Sequence, residues 1–215
     1  MTAASAPSAH WAILGGTFDP VHVGHLRIAL QLRDAGFDKV LLMPNRIPPH
    51  RPSPQASSEQ RLAMLQLATA GLDGIDVSDI ELQRPECSYS AITLEVLRQE
   101  HPGVSFTWAM GTDAWFSFDR WHRCDDILKM ANLLVISRPG DSQPLAPWQS
   151  QQWHKRRATL EELLASDHGS ICQQTLPGLD ISATGLRKAL SKGDNVRFLT
   201  PDSVLEYLTQ QQLYR

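Results

Sequence analysis

Short apolar runs of β-forming residues alternate along the chain with stretches whose apolar positions recur every three to four residues. HWAILGG at 10–16 predicts a strand that stops at a double glycine. Leu26, Ala29, Leu30 and Arg33 then fall at helical spacing and predict a helix at about 23–35. KVLLMP at 39–44 predicts a second, buried strand ended by Pro44. A loop carrying Pro44, Pro48, Pro49, Pro52 and Pro54 follows, too long and too proline-rich for a mere connection. Residues 57–71 open on a serine cap, stop at a glycine and predict a helix.

The same reading gives a short strand near 75–82, a helix at 89–100, a strand at 104–110, a helical stretch carrying Trp121 and a strand at 132–139. Residues 140–150 predict a loop and 151–166 a helix; a strand at 170–176 precedes two closing helices at 183–192 and 201–212. Such alternation implies an α/β fold: a doubly wound parallel sheet with helices on both faces, in a single domain over 10–215 with a C-terminal helical extension. Residues 1–9, MTAASAPSA, are small and apolar or polar and predict a flexible N-terminal tail. Ligands in such sheets bind outside the carboxyl ends of the strands, which is where the glycine turn falls.

Composition narrows the partners. The chain has 215 residues and a formal net charge of −3, so no general basic surface points to nucleic acid. A small anionic substrate needs only local positive potential. Cys87, Cys124 and Cys172 are widely spaced and lack CxxC pairing, which argues against a disulfide framework and fits a reducing compartment. The N-terminus lacks a basic region followed by an apolar one, and no apolar run reaches the roughly 18 residues that span a bilayer. The expectation is a cytoplasmic protein with no membrane partner, its homo-oligomeric state left open.

Chemistry concentrates in GGTFDPVHVGH, which holds Gly15, Gly16, Thr17, Phe18, Asp19, Pro20, His22, Gly24 and His25 between the first strand and first helix. Adjacent glycines let backbone amides approach a phosphate, and the following helix points its positive end at the same place. His22 and His25, three residues apart, share one face of the first turn. Neither a Walker loop nor GxGxxG is present. The eleven-residue pattern resembles the signature of the HxGH nucleotidyltransferase superfamily, which is Rossmann-like and whose histidines contact ATP phosphates. A second element, Ile181-Ser182-Ala183-Thr184-Gly185-Leu186-Arg187, opens a helix on the Ser182 cap. It resembles the ISxTxxR element of that superfamily, with Arg187 able to fork onto a phosphate.

Three further stretches resemble the bacterial nicotinate mononucleotide adenylyltransferases within that superfamily. MPNRIPPHR at 43–51 looks like their MPxxxPPH loop, Ser88-Tyr89-Ser90 like the segment contacting nicotinate, and GTDAWFSFDRW at 111–121 like a GxD motif followed by Trp. Arg51 stands where Lys is common and Ser90 where Thr is usual. The resemblance implies ATP contacts at Gly15, Gly16, Thr17, Phe18, His22, His25, Gly111, Asp113, Ile181, Ser182, Thr184 and Arg187. It also implies mononucleotide contacts at Gly16, Thr17, Arg46, His50, Arg51, Ser88, Tyr89, Ser90 and Trp121. An electron-poor pyridine wants an aromatic platform such as Trp121, and Asp113 suits ribose hydroxyls.

Those contacts imply ATP and nicotinate mononucleotide as substrates, with Mg²⁺ carried on the ATP phosphates. His22, His25 and Arg187 are the expected catalytic residues. A phosphate nucleophile is already largely dianionic at neutral pH, which suits a chain with no convincing triad or carboxylate pair. Phosphopantetheine adenylyltransferase is the nearest rival. A catalytically silent nucleotide sensor would bind ATP without releasing pyrophosphate.

Overall fold

Residues 7–46, 53–84, 87–137 and 145–215 are described by the computed structural model. The chain begins with β1 (Ala9–Gly16), α1 (Val23–Asp34), β2 (Lys39–Pro44), α2 (Ser58–Thr69) and β3 (Ile75–Val77). It continues through α3 (Ser90–Glu100), β4 (Val104–Gly111), the short α4 (Thr112–Trp115), a 3₁₀ turn (Phe118–Arg120), α5 (Cys124–Met130) and β5 (Asn132–Ser137). The closing elements are α6 (Pro147–Arg156), α7 (Leu160–Leu164), β6 (Ile171–Thr175), α8 (Ala183–Ser191) and α9 (Asp202–Gln210). The six strands form one sheet in the order β3-β2-β1-β4-β5-β6. All are parallel, with Gly16 opposite Pro44 in β2 and Ala9 opposite Val104 in β4. This is a Rossmann-like doubly wound sheet, and the strand order reverses between β1 and β4.

Side chains leave a strand alternately to its two faces, and both faces here are covered. Ala12 and Leu14 of β1 pack with α1, α2 and α9 residues such as Leu32, Leu65 and Val204. Ile13, between them, joins the other core with Phe106, Trp108 and Met110 of β4 and Leu94 of α3. Buried on both sides, the central strands read as continuous apolar runs in the sequence.

The expected helix at 151–166 is two helices. Pro147 starts α6 at its first turn, and α7 begins afresh where Thr159 and Glu162 cap each other reciprocally. Arg157 bridges to Ile171 of β6 between them, so the chain leaves α6 to touch the sheet. The strand expected over 75–82 ends at Val77, because Asp79 accepts backbone bonds from Leu82 and Gln83 in a turn. Trp121 lies in extended backbone after the 3₁₀ turn rather than in a helix. Ser8 and Ala9 are already tied in, the Ser8 amide donating to Gly103. Beyond β6, α9 returns across the sheet to pack on α2.

Candidate active site

The glycines of the first motif are set by close approach. A Cβ on Gly16 would lie 3.0 Å from the Phe18 ring, and one on Gly24 would lie 2.9 Å from His22 Nδ1. Gly24 therefore makes room for the imidazole two residues before it. His22 sits at the N-cap of α1, buried, and its ring stacks on that of His25 with centroids 3.7 Å apart and planes 21° from parallel. The Phe18 ring, also buried and at a left-handed φ of 51°, meets the edge of His25.

The His22 amide donates to His25 Nδ1 at 3.3 Å. An acceptor at Nδ1 assigns the ring proton to Nε2. Burial pushes the His25 pKa well below the ordinary histidine value, and the neighbouring His22 ring pushes it further down. His25 is thus a neutral imidazole offering one N–H donor.

The second motif lies against the first. Ser182 caps α8 by accepting from the Gly185 amide, and Ile181 stands within 4.0 Å of the place a Gly24 Cβ would take. Arg187 donates to the main-chain oxygen of Asp19 at 2.5 Å and to Thr184 Oγ1 at 3.3 Å. The tail closes over the same region: Val23 donates to the Leu199 carbonyl and Thr200 Oγ1 to the Val21 carbonyl. Arg61, fully buried, donates to the carbonyls of Thr17 and Asn45 and so pins the glycine turn to the end of β2.

Beside the turn, at the carboxyl ends of β1 and β4, opens a pocket of about 320 Å³. Its walls include Gly15, Gly16, Thr17, Ser88, Tyr89, Ser90, Gly111, Asp113 and Trp121. Trp121 meets Trp108 edge-on at 6.4 Å, and Tyr89 lies 4.5 Å from the His122 ring. The polar wall is built around Glu81, whose carboxyl accepts from Thr93 Oγ1 at 2.9 Å and from Ser88. Burial is the largest effect on Glu81 and raises its pKa, against the downward pull of those two hydroxyls and of Arg84. Ser88 in turn accepts from the Arg46 amide, and the Arg46 guanidinium donates to the Arg84 carbonyl. The Asn45 side-chain oxygen is buried in this wall without a hydrogen-bond partner among the described residues.

The expected residues therefore form two adjoining groups. His22, His25, Ile181, Ser182, Thr184 and Arg187 gather around Gly24 and Asp19, and Gly15, Gly16, Thr17, Ser88, Tyr89, Ser90, Gly111, Asp113 and Trp121 line the pocket. Phe18 packs against the His25 ring, and Arg46 bonds to Arg84 and Ser88. His50 and Arg51, with Pro48 and Pro49, lie outside the described residues, as do residues 140–144 of the loop expected at 140–150, whose last four residues belong instead to α6, started by Pro147. Sequence reading passed over Asn45, Glu81, Trp108 and His122 as site residues. Only Glu81 carried a signal, as a lone carboxylate between Ile80 and Leu82.

Comparison with known proteins gives the family. Residues 13–189 match the family model described as cytidylyltransferase-like. The chain is 44% identical over 212 residues to "Probable nicotinate-nucleotide adenylyltransferase" of Aeromonas hydrophila, covering 94% of this chain and 96% of the relative. It is 42% identical over 208 residues to the nicotinate-nucleotide adenylyltransferase of Salmonella typhi, covering 95% and 98%. Among solved structures it is similar to Plasmodium falciparum nicotinic acid mononucleotide adenylyltransferase complexed with NaAD. That match has a TM-score of 0.72 and 16% identity, covers 96% of this chain and 97% of that one, and speaks to the fold.

Proposed function

The chain belongs to the cytidylyltransferase-like family, and on that premise we propose that it transfers the adenylyl group of ATP to nicotinate mononucleotide, giving deamido-NAD and pyrophosphate in NAD biosynthesis. One observation carries the reading: both anion-handling motifs converge on Asp19 beside a pocket walled by Trp108, Trp121 and Tyr89. Full-length relatives named for this activity support the choice of acceptor.

The 5′-phosphate oxygen of the mononucleotide attacks the α-phosphorus of ATP in line. A P–O bond forms there, the bond from the α-phosphorus to the α,β-bridging oxygen breaks, and that oxygen leaves with pyrophosphate. No general base is needed, since the attacking phosphate is mostly dianionic at pH 7. The protein's task is to hold two anions together and to meet charge on the departing pyrophosphate. His22, the neutral His25 and Arg187, with the amides of Gly15, Gly16 and Thr17, take that role. Mg²⁺ enters as part of the substrate, MgATP. The pyridine ring lies against Trp121, the segment 88–90 meets its carboxylate, and Asp113 and the buried Asn45 oxygen accept from ribose hydroxyls. We place the protein in the cytoplasm, which fits three widely spaced cysteines without CxxC pairing. None of the described helices is long and apolar enough to cross a membrane.

A pyrophosphate-release assay with ATP and, in turn, nicotinate mononucleotide, nicotinamide mononucleotide and phosphopantetheine tests the proposal. Nicotinate mononucleotide should give the highest kcat/KM. A best rate with phosphopantetheine, or ATP binding without any pyrophosphate, would overturn it.

A further inference from the structure

Asp19, 3% exposed, is where four distant parts of the chain meet. Its Oδ1 accepts from the Ala56 amide at 3.0 Å and from the Tyr214 hydroxyl at 2.5 Å. Its Oδ2 accepts from the Gln55 amide at 2.9 Å. Arg187 Nη1 stands 3.7 Å from that same Oδ2 but bonds instead to the Asp19 main-chain oxygen. Arg61, the other nearby guanidinium, is committed to the carbonyls of Thr17 and Asn45.

Tyr214 reaches this point by a reversal of the chain after α9. Leu213 bonds back to the Leu208 carbonyl, and Gln212 and Tyr214 take left-handed φ values of 52° and 61°. Few non-glycine residues accept that conformation without compensation elsewhere. The tyrosine ring is buried, and its hydroxyl ends on the carboxylate. Burial, and next the bond to Asp19, raise its pKa, so it remains a phenol donor.

We infer that Tyr214 is a positioning residue for adenylyl transfer: by occupying Asp19 Oδ1 it keeps the Asp19 carboxylate from capturing the Arg187 guanidinium, which stays presented to the ATP phosphates. This rests on the reading of Arg187 as a phosphate ligand. A buried carboxylate deprived of one donor recruits the nearest cation, and a forked carboxylate–guanidinium pair is among the strongest contacts available. Arg187 is that cation, one short movement away. In that pairing its N–H groups turn to Asp19 rather than to substrate.

Tyr214→Phe removes the hydroxyl and keeps the ring. Calorimetry with a non-hydrolysable ATP analogue should show affinity falling roughly ten-fold, with the nicotinate mononucleotide KM moved less than about two-fold. In an Arg187→Ala background the same substitution should change analogue affinity less than about two-fold, because its intermediary is gone. A purely structural role would weaken binding equally in both backgrounds, and that result would overturn the inference. So would unchanged affinity in a native-like Tyr214→Phe protein. Should Tyr214→Phe not fold, Thr184→Val removes the other anchor of Arg187 at an exposed position. A comparable loss of analogue affinity then supports the anchoring scheme and unchanged affinity overturns it. Pyrophosphate release by the wild-type protein is the separate control. Its absence would overturn the activity, whereas the analogue affinities test the positioning role alone.

Discussion

At position 25 an imidazole is held neutral by its surroundings, and that has a consequence for stability as well as for chemistry. Its Nδ1 already faces the His22 amide, so a second ring proton would set N–H against N–H. Burial, then the His22 ring, holds the folded pKa well below 6.5. The unfolded chain therefore binds a proton that the folded chain does not, and stability rises with pH through this window. The contribution is full above about pH 6.5 and is lost as pH falls toward the folded value, at up to about 1.4 kcal/mol per pH unit. Urea unfolding of wild type and His25→Gln between about pH 5.5 and 7.5 should show the steeper pH dependence in the wild type; parallel profiles would refute a neutral His25. His22 faces a different test. His22→Ala should unfold normally yet lose about a hundred- to a thousand-fold in kcat, as removal of a preorganised anion donor does. The i, i+3 spacing of these two histidines predicted that they lie side by side, while their expected role came from the resemblance of the whole GGTFDPVHVGH pattern. Their stacking was not legible, because it depends on the space that Gly24 leaves.

Between elements, the decisive contacts join segments far apart in sequence. The Arg61 guanidinium ties α2 to the ends of β1 and β2 through the Thr17 and Asn45 carbonyls. Nothing in SSEQRLAMLQLATAG marks that arginine, which in isolation reads as one more polar position on a helix; its burial is a property of the loops that fold over it. Glu81 was marked only as a carboxylate between Ile80 and Leu82, and its role follows from Ser88 and Thr93 being brought to it. Strands and most helices, by contrast, were readable because their pattern is local: period two or continuous for strands, period near four for helices, with Ser57 and Ser182 as caps. The error at 151–166 was also local in origin, since the Thr159–Glu162 cap lies inside an otherwise helical composition. Arg61→Met keeps the aliphatic stem and leaves those two carbonyls without their donor. It should cost about 3 kcal/mol, seen as a lower urea midpoint at unchanged m. A loss below about 0.5 kcal/mol would mean the turn is held by other contacts.

For the molecule as a whole, the sheet order explains why one short chain can handle two anions with a net charge of −3. The order reverses between β1 and β4, so the crevice there is shared by elements from both halves. The β1–α1 turn, α8 and the C-terminus furnish the side that holds His22, His25 and Arg187, the expected phosphate ligands. The ends of β2 and β4 and the start of α3 furnish the aromatic pocket. Trp121 packs on Trp108 and Phe118, whereas Arg187 bonds to Asp19 and Thr184, so the two residues have no partner in common among these contacts. Substitutions on the two sides should then act independently. Trp121→Ala removes the ring's platform and should raise the mononucleotide KM roughly ten-fold, the equivalent of about 1.4 kcal/mol of stacking. The ATP KM should stay put. Arg187→Lys should do the reverse on KM, because a point charge replaces a forked donor set, and should lower kcat as well. In the double variant the two effects on kcat/KM should multiply to within about two-fold. Strong coupling between them would mean that both side chains touch the same substrate, and would move the mononucleotide's phosphate, rather than ATP alone, onto Arg187.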